Sequence, residues 1–381
     1  MKIGLITRKS EHQWGGDLAA LHTITRGLAA IGQEVLLGKT AEEVIDADFI
    51  FLHNTSYDLK PDYALLSQHN KPFGVIAVHA DRSLYYSTCY AFAHFVGLCL
   101  EQDPHFPFYS LNQLIETPEI LDLFPYSPPP LFEDNIPILQ AAKICIANSA
   151  TEAATLERDA PGCKTAVIPL ACDLPALPKT DCFLKWMGLS TGEYVLQVGR
   201  LELRKNQLAT ILAMRDSPLP LVLIATKSFY PDYEKMCLQA IRKYRKAPTL
   251  LISQNLPATQ EKHLQILPMP RGEKLPEEQL ISAYQNAGLH VHPAFCELPG
   301  LTYLEAAKLG VPTIASPWTT IDDYFTDSPF VYVLPHYLQE LTQAIELHFG
   351  KRVDPHALQD RTCADVACDL LIAIDKIASV V

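Results

Sequence analysis

The chain has 381 residues, enough for two domains at roughly 150 residues each. Hydrophobic residues make up 48% and charged residues 19%, which excludes disorder as a description of the whole chain. With 31 basic against 43 acidic residues and a net charge of −12, it lacks the basic footprint of a nucleic-acid binder.

The opening MKIGLIT runs directly into charged RKSEH, too short an apolar stretch for a signal-peptide core. Residues 2–7 read as the first strand and residues 17–31 as the first helix. Strand-like runs follow at 34–38, 49–54 and 73–80. Residues 81–133 then interrupt the series. They are aromatic- and proline-rich and read as helices and loops added to the first domain. Their run 90–100 is the longest apolar stretch, yet too short to span a bilayer. Strands resume at 144–149 and 165–170. Residues 171–192, with Pro175 and Pro178, read as a linker.

A second series has strands at 194–199, 219–225, 249–255, 264–269, 289–293, 312–316 and 330–334. Helical patterns lie at 206–215, 276–287, 301–309 and 336–349. Many strands are nearly all apolar, as parallel strands buried on both faces require. Strand and helix in alternation imply right-handed βαβ units. The expected fold class is therefore α/β, with two Rossmann-like domains of doubly wound parallel sheets facing across a cleft. The domains are expected at 1–172 and 173–354. A last helix, within 355–381, is expected to cross back onto the first domain. Ten scattered cysteines without a C-x-x-C pair suit free thiols in a reducing cytoplasm.

The most informative stretch is HVHPAFCELPGLTYLEAAKLGVPTIAS, residues 290–316. A strand ends near Pro293, and a loop carries Glu297, Pro299 and Gly300. Gly300 lets the backbone approach a ligand closely. The free N–H groups of Leu301 and Thr302 open a helix and form an anion site. Glu297 before that helix and Glu305 within it suit a phosphate flanked by sugar hydroxyls, because carboxylates accept from hydroxyls. A nucleotide sugar has this make-up. In YVLQVGRLELRKNQL, residues 194–208, Arg200 and Lys205 follow a buried strand, at the carboxyl end where α/β sheets bind ligands. Both suit a diphosphate.

These stretches resemble the GT-B-fold glycosyltransferases, most closely the retaining family 4 enzymes. That family shows a glutamate, seven residues and a second glutamate, here Glu297 and Glu305. It shows G-R-x-x-x-x-K-N, here Gly199, Arg200, Lys205 and Asn206. It also places a Gly-Gly loop before the first helix, here Gly15 and Gly16. The chain departs from the pattern at Pro299, where an aromatic is usual, and at Ala171-Cys172-Asp173, where Asn-Gly-Val-Asp is frequent.

The resemblance implies a retaining transferase that moves a sugar from a nucleoside-diphosphate sugar to a hydroxyl acceptor on a glycan, a lipid or a small molecule. Transfer of a hexosyl or N-acetylhexosaminyl group from a UDP- or GDP-sugar is expected, with no cofactor and no metal. The alternative is a catalytically inactive partner or sugar-nucleotide-binding subunit on the same fold. Glu305 would hold the ribose and Glu297 the transferred sugar. Arg200 and Lys205 would neutralise the diphosphate, and Gly300, Leu301 and Thr302 would cradle it. Gly16 would approach the donor from the other domain. Backbone around 267–271 would read the base. His79 falls where relatives carry a histidine near donor and acceptor, and joins Glu297, Arg200 and Lys205 as a catalytic candidate.

Further candidates have plainer readings beside them. Asp81 could orient an acceptor hydroxyl, and Trp14 could stack on it or simply pack. Asp322 and Asp323 could lie near the ribose or cap a helix. His290 and His292 share a strand face, but nothing nearby completes a metal set. The basic run 242–246 reads as a solvated helix face. The first 170 residues hold 11 basic and 20 acidic residues. An anionic leaflet repels such a domain, so membrane association is expected to be peripheral at most.

Overall fold

The computed structural model describes residues 1–7, 16–102, 110–172, 174–175, 177–225, 230–254, 256–269, 275–354 and 361–378. Trp14, Gly15, Asp173 and Arg271 lie outside them. The first unit contains β1 (Lys2–Ile6), α1 (Gly16–Ala30), β2 (Glu34–Gly38), β3 (Phe49–His53), α2 (Lys60–Gln68) and β4 (Phe73–Ile76). The chain continues through α3 (Tyr86–Gln102), α4 (Leu111–Ile115), α5 (Pro118–Leu121), α6 (Pro130–Ala141), β5 (Cys145–Ala147), α7 (Ala150–Asp159) and β6 (Thr165–Val167). The second begins with α8 (Cys182–Met187), β7 (Val195–Val198), α9 (Gln207–Ala213), β8 (Leu221–Ala225), α10 (Pro231–Tyr244) and β9 (Thr249–Ser253). Then come β10 (Thr259–Gln260), β11 (Leu264–Pro268), α11 (Glu277–Asn286), β12 (Leu289–His292), α12 (Leu301–Lys308), β13 (Thr313–Ala315), β14 (Phe330–Tyr332), α13 (Leu338–His348) and α14 (Cys363–Ala378).

The strands form two sheets, in the orders β2-β1-β3-β4-β5-β6 and β10-β11-β9-β8-β7-β12-β13-β14. Every pairing is parallel except β10 with β11. All residues of β3, β8 and β9 are buried, as helices on both faces of a parallel sheet demand. The residues read as a linker hold α8, whose Phe183 lies in the core of the second unit with Tyr194 and Tyr284.

α14 returns to the first unit. Val366, Ala367, Leu370, Ala373 and Ile374 join Leu21, Ile24 and Leu28 of α1 in one core. The contact needs Gly27, where an added Cβ would stand 2.0 Å from the Cys363 carbonyl oxygen. Alanine is the better helix former by about 1 kcal/mol, yet Gly27→Ala is expected to destabilise by about 1–3 kcal/mol through overpacking. A raised melting temperature in that variant would disprove the contact.

The segment 81–133 departs in part from the expectation that it belongs to the first unit: Asp81, Arg82 and Phe132 pack there, but α3 and α4 do not. α3 buries Phe92, Val96 and Cys99 in the core of the second, with Leu212 and Tyr233. Phe92 meets Phe295 with ring centroids 5.8 Å apart. Lys243 donates to the Leu100 carbonyl at 2.8 Å, and Glu116 bonds His336 at 2.7 Å and Tyr337 at 3.0 Å.

The basic run is a solvated face at Arg242, Lys243 and Lys246, but not at Arg245. Arg245 is 2% exposed and donates to the carbonyls of Met214, Ser217 and Leu219 and to Thr249 Oγ1. Arg242 pairs with Glu261 and Lys246 with Asp216. A guanidinium at the end of α10 thus gathers carbonyls of the loop after α9, whose Ser217 N–H also donates to the Met214 carbonyl at 3.1 Å.

Candidate functional site

The loop after β7 and the loop after β12 lie side by side at the carboxyl ends of adjacent strands. Gly199 takes φ +149°, and a Cβ there would stand 3.3 Å from the His292 ring and 3.8 Å from the Lys205 side chain. Asn206 adopts the left-handed conformation, φ +57°, which asparagine tolerates better than most residues. Its amide reaches the carbonyls of Pro293 at 3.0 Å and Pro335 at 2.7 Å. Gln207 holds the Arg200 carbonyl at 2.7 Å, and Gln197 holds that of Lys205 at 2.9 Å. The loop carrying Arg200 and Lys205 is thus tied down from several sides.

The charges converge on Glu297, which is 5% exposed. Lys205 Nζ bonds its Oε1, and His292 Nε2 lies 2.9 Å from the same oxygen. Arg204 Nη1 is 3.6 Å from Oε2. Arg204 also bonds the Cys296 carbonyl at 2.6 Å and Glu202 at 2.8 Å. Arg200 is 3.2 Å from Glu202. Burial pushes both carboxyls up, but the neighbouring cations win. Lys205 and Arg204 hold Glu297 well below the usual carboxylate range, and Arg204 and Arg200 hold Glu202 below it. Among the described residues, Arg200, Arg204 and Lys205 meet the carboxylates of Glu202 and Glu297.

α12 begins beside this cluster. Gly300 sits at φ +96°, and a Cβ there would meet the Tyr303 ring at 2.8 Å. The N–H groups of Leu301 and Thr302 have no acceptor within the helix they open. The Thr302 hydroxyl oxygen is buried without a hydrogen-bond partner. Glu305, in the second turn, is half-buried and accepts from the Tyr284 hydroxyl at 2.9 Å. Burial pushes its carboxyl up to about 7.

The first unit places its candidates differently. His79 Nε2 lies 2.8 Å from Asp159, its backbone N–H donates to Glu152 at 2.8 Å, and its ring stacks on Phe132 at 4.3 Å. Burial lowers its basicity against the pull of Asp159. Asp81 caps its own 3-10 turn through Ser83 and pairs with Arg158 at 2.7 Å. Gly16 is exposed at the start of α1, with open space where a Cβ would stand. Asp323 accepts the Thr151 N–H at the start of α7 at 2.8 Å, and Asp322 accepts from the Tyr332 hydroxyl. The Asp323 contact is helix capping across the two units. His290 and His292 stack at 5.9 Å inside the core. No metal-holding group of three or more His, Cys, Asp or Glu occurs among the described residues.

Sequence reasoning missed Arg204, Glu202 and His292 as members of the charged cluster. Arg204 and Glu202 sit inside the x positions of G-R-x-x-x-x-K-N, so their proximity to Lys205 was the available signal.

No protein-family model matches the chain, and no curated protein matches its sequence. Solved structures do match its fold. Sucrose-phosphate synthase from Thermosynechococcus elongatus superposes with a TM-score of 0.59 at 17% identity, over 99% of this chain and 96% of that one. HepE from Anabaena, in complex with UDP and glucose, gives 0.59 at 18% identity, over 98% and 99%. OtsA in its apo form gives 0.61 at 12% identity, over 99% and 98%. The chain therefore has the GT-B fold, two Rossmann-like units of six and eight strands. Among the described residues, no helix is long and apolar enough to cross a membrane.

Proposed function

We propose that this chain is a glycosyltransferase of the retaining family 4 type, which transfers a hexosyl group from a UDP-sugar to a hydroxyl acceptor. One observation carries the reading. A cluster of three cations, Arg200, Arg204 and Lys205, adjoins the N-terminus of α12, at which a hydroxyl is buried without a partner. A diphosphate would satisfy all three features. The support for UDP is that the HepE structures hold UDP, UDP with glucose, or UDP-glucose.

In this reading Arg200 and Lys205 neutralise charge that builds on the leaving diphosphate, without a metal ion. Fixed charges aimed at developing charge cost no reorganisation at the moment of reaction. Glu297, ionised by its cations, accepts from hydroxyls of the transferred sugar. Gly300, Leu301 and Thr302 cradle the phosphate, and Glu305 holds the ribose. His79, whose ring nitrogens meet Asp159 and Thr55, would shape the acceptor side of the cleft. The enzyme is cytoplasmic.

The test is release of UDP from UDP-glucose, with the anomeric configuration of the product followed by proton NMR. Absence of UDP binding and of UDP release would overturn the proposal. The ribose contact has its own test. Ribose hydroxyls favour the ionised carboxyl, so UDP affinity is expected to rise as pH rises through about 7. Glu305→Gln should remove that part of the rise and weaken UDP about tenfold at pH 8. Equal affinities for variant and wild type across pH 6–8 would remove Glu305 from the site.

A further inference from the structure

We propose that His292 is a positioning residue, whose ring donates from Nε2 to Glu297 and fixes the orientation in which that carboxylate meets the donor sugar. The inference rests on the reading of this cluster as a nucleotide-sugar site.

Four contacts set the ring. β12 is buried at every residue, and His292 is 0% exposed. A polar ring costs more there than valine or leucine unless a hydrogen bond compensates. Its compensation is the 2.9 Å bond from Nε2 to Glu297 Oε1, for Nδ1 is buried without a partner. The Tyr303 ring stands edge-on at 5.2 Å, and the Tyr303 hydroxyl donates to the His292 carbonyl at 2.6 Å. Gly199 leaves the space that the ring edge occupies, since a Cβ there would approach Cε1 to 3.3 Å. This explains that glycine through the neighbouring strand as well as through its own φ. Finally, His290 stacks beneath at 5.9 Å.

Burial keeps the ring neutral. A neutral imidazole has one N–H, and Glu297 is an ionised acceptor, so the proton belongs on Nε2. Lys205 and Arg204 grip the carboxylate from the loop after β7, while His292 grips it from the strand. The two cations attract the carboxylate by charge, which is less directional than an N–H bond from a planar ring. A ring locked in a strand fixes the plane of the carboxylate. His292 touches no substrate and acts through Glu297.

Glutamine can place an N–H near the position of Nε2, and leucine cannot. His292→Leu is expected to lower kcat with UDP-glucose about tenfold to a hundredfold, with the donor KM changed less than about threefold. His292→Gln is expected to recover most of the loss. Thermal unfolding of both variants separates misfolding from mispositioning. In the wild-type protein, nitrogen-15 NMR of labelled histidine should show the Nε2–H tautomer for His292, which needs no variant to fold. A wild type that neither binds UDP in calorimetry nor releases it from UDP-glucose overturns the functional reading and this inference with it. A wild type that binds and turns over, with leucine and glutamine variants of equal kcat or an Nδ1–H tautomer, overturns the positioning role alone.

Discussion

Lys205→Ala is expected to lower turnover of UDP-glucose by about a hundredfold to a thousandfold, the usual effect of removing one preorganised group from developing charge. Lys205 bonds Glu297, and that carboxylate is 5% exposed. The substitution therefore has a second consequence. Breaking a buried pair by removing one partner costs about 3–5 kcal/mol, because the other charge stays uncompensated. Arg204 at 3.6 Å and His292 at 2.9 Å remain beside Glu297, so the loss is expected at the lower end. The double variant Lys205→Ala with Glu297→Gln should regain stability without regaining activity. A single variant with kcat within threefold of wild type would remove Lys205 from the chemistry.

Ending the chain after Asp354 is expected to destroy the first unit as a soluble body. α14 contributes Val366, Leu370 and Ile374 to a core shared with Ile3, Leu5, Leu21, Ile24 and Leu28. Fully burying each large aliphatic side chain stabilises by about 1.5–3 kcal/mol, so the three amount to about 5–9 kcal/mol. That is comparable with the whole stability of a typical domain, about 5–15 kcal/mol. The truncated chain should bind a hydrophobic dye and aggregate, while the second unit, whose own core holds Phe183, Tyr194 and Tyr284, keeps its structure. A soluble truncation that melts like the full chain would show that α14 is dispensable.

The two sheets were legible because their strands are signalled locally. Runs such as FIFLH and LVLIA need no partner to be recognised. Each strand read from the sequence appears at its place, mostly shorter by a residue or two at an end. Only the two-residue β10, which has no apolar run of its own, went unread. Gly199 and Asn206 were legible only through the resemblance and Gly300 as a residue that lets a ligand approach; the structure adds that all three take positive φ. Positive φ is a demand on one residue's own backbone, met by glycine and tolerated by asparagine.

What remained hidden was the choice of partner. The pattern of α3 shows that Phe92 and Val96 are buried, but any apolar surface would bury them. Only the tertiary structure assigns them to the second unit, against Phe295. Charge behaves the same way. A run such as RKYRK shows its cations, while the carbonyls that draw Arg245 inside come from residues 26 to 31 positions away. Asp323 was open to capping, but its helix lies 172 residues earlier, in the other unit. His292 looked like one of two histidines on a strand face. Its bond to Glu297 depends on how the loop after β12 folds back, and on a neighbouring strand that ends in glycine. The sequence by itself determined the elements and the two α/β units, because these are requirements of single residues and short periods. The tertiary structure decided which charges neutralise which, and which unit each amphipathic helix covers, because those energies depend on neighbours that the chain brings together only on folding.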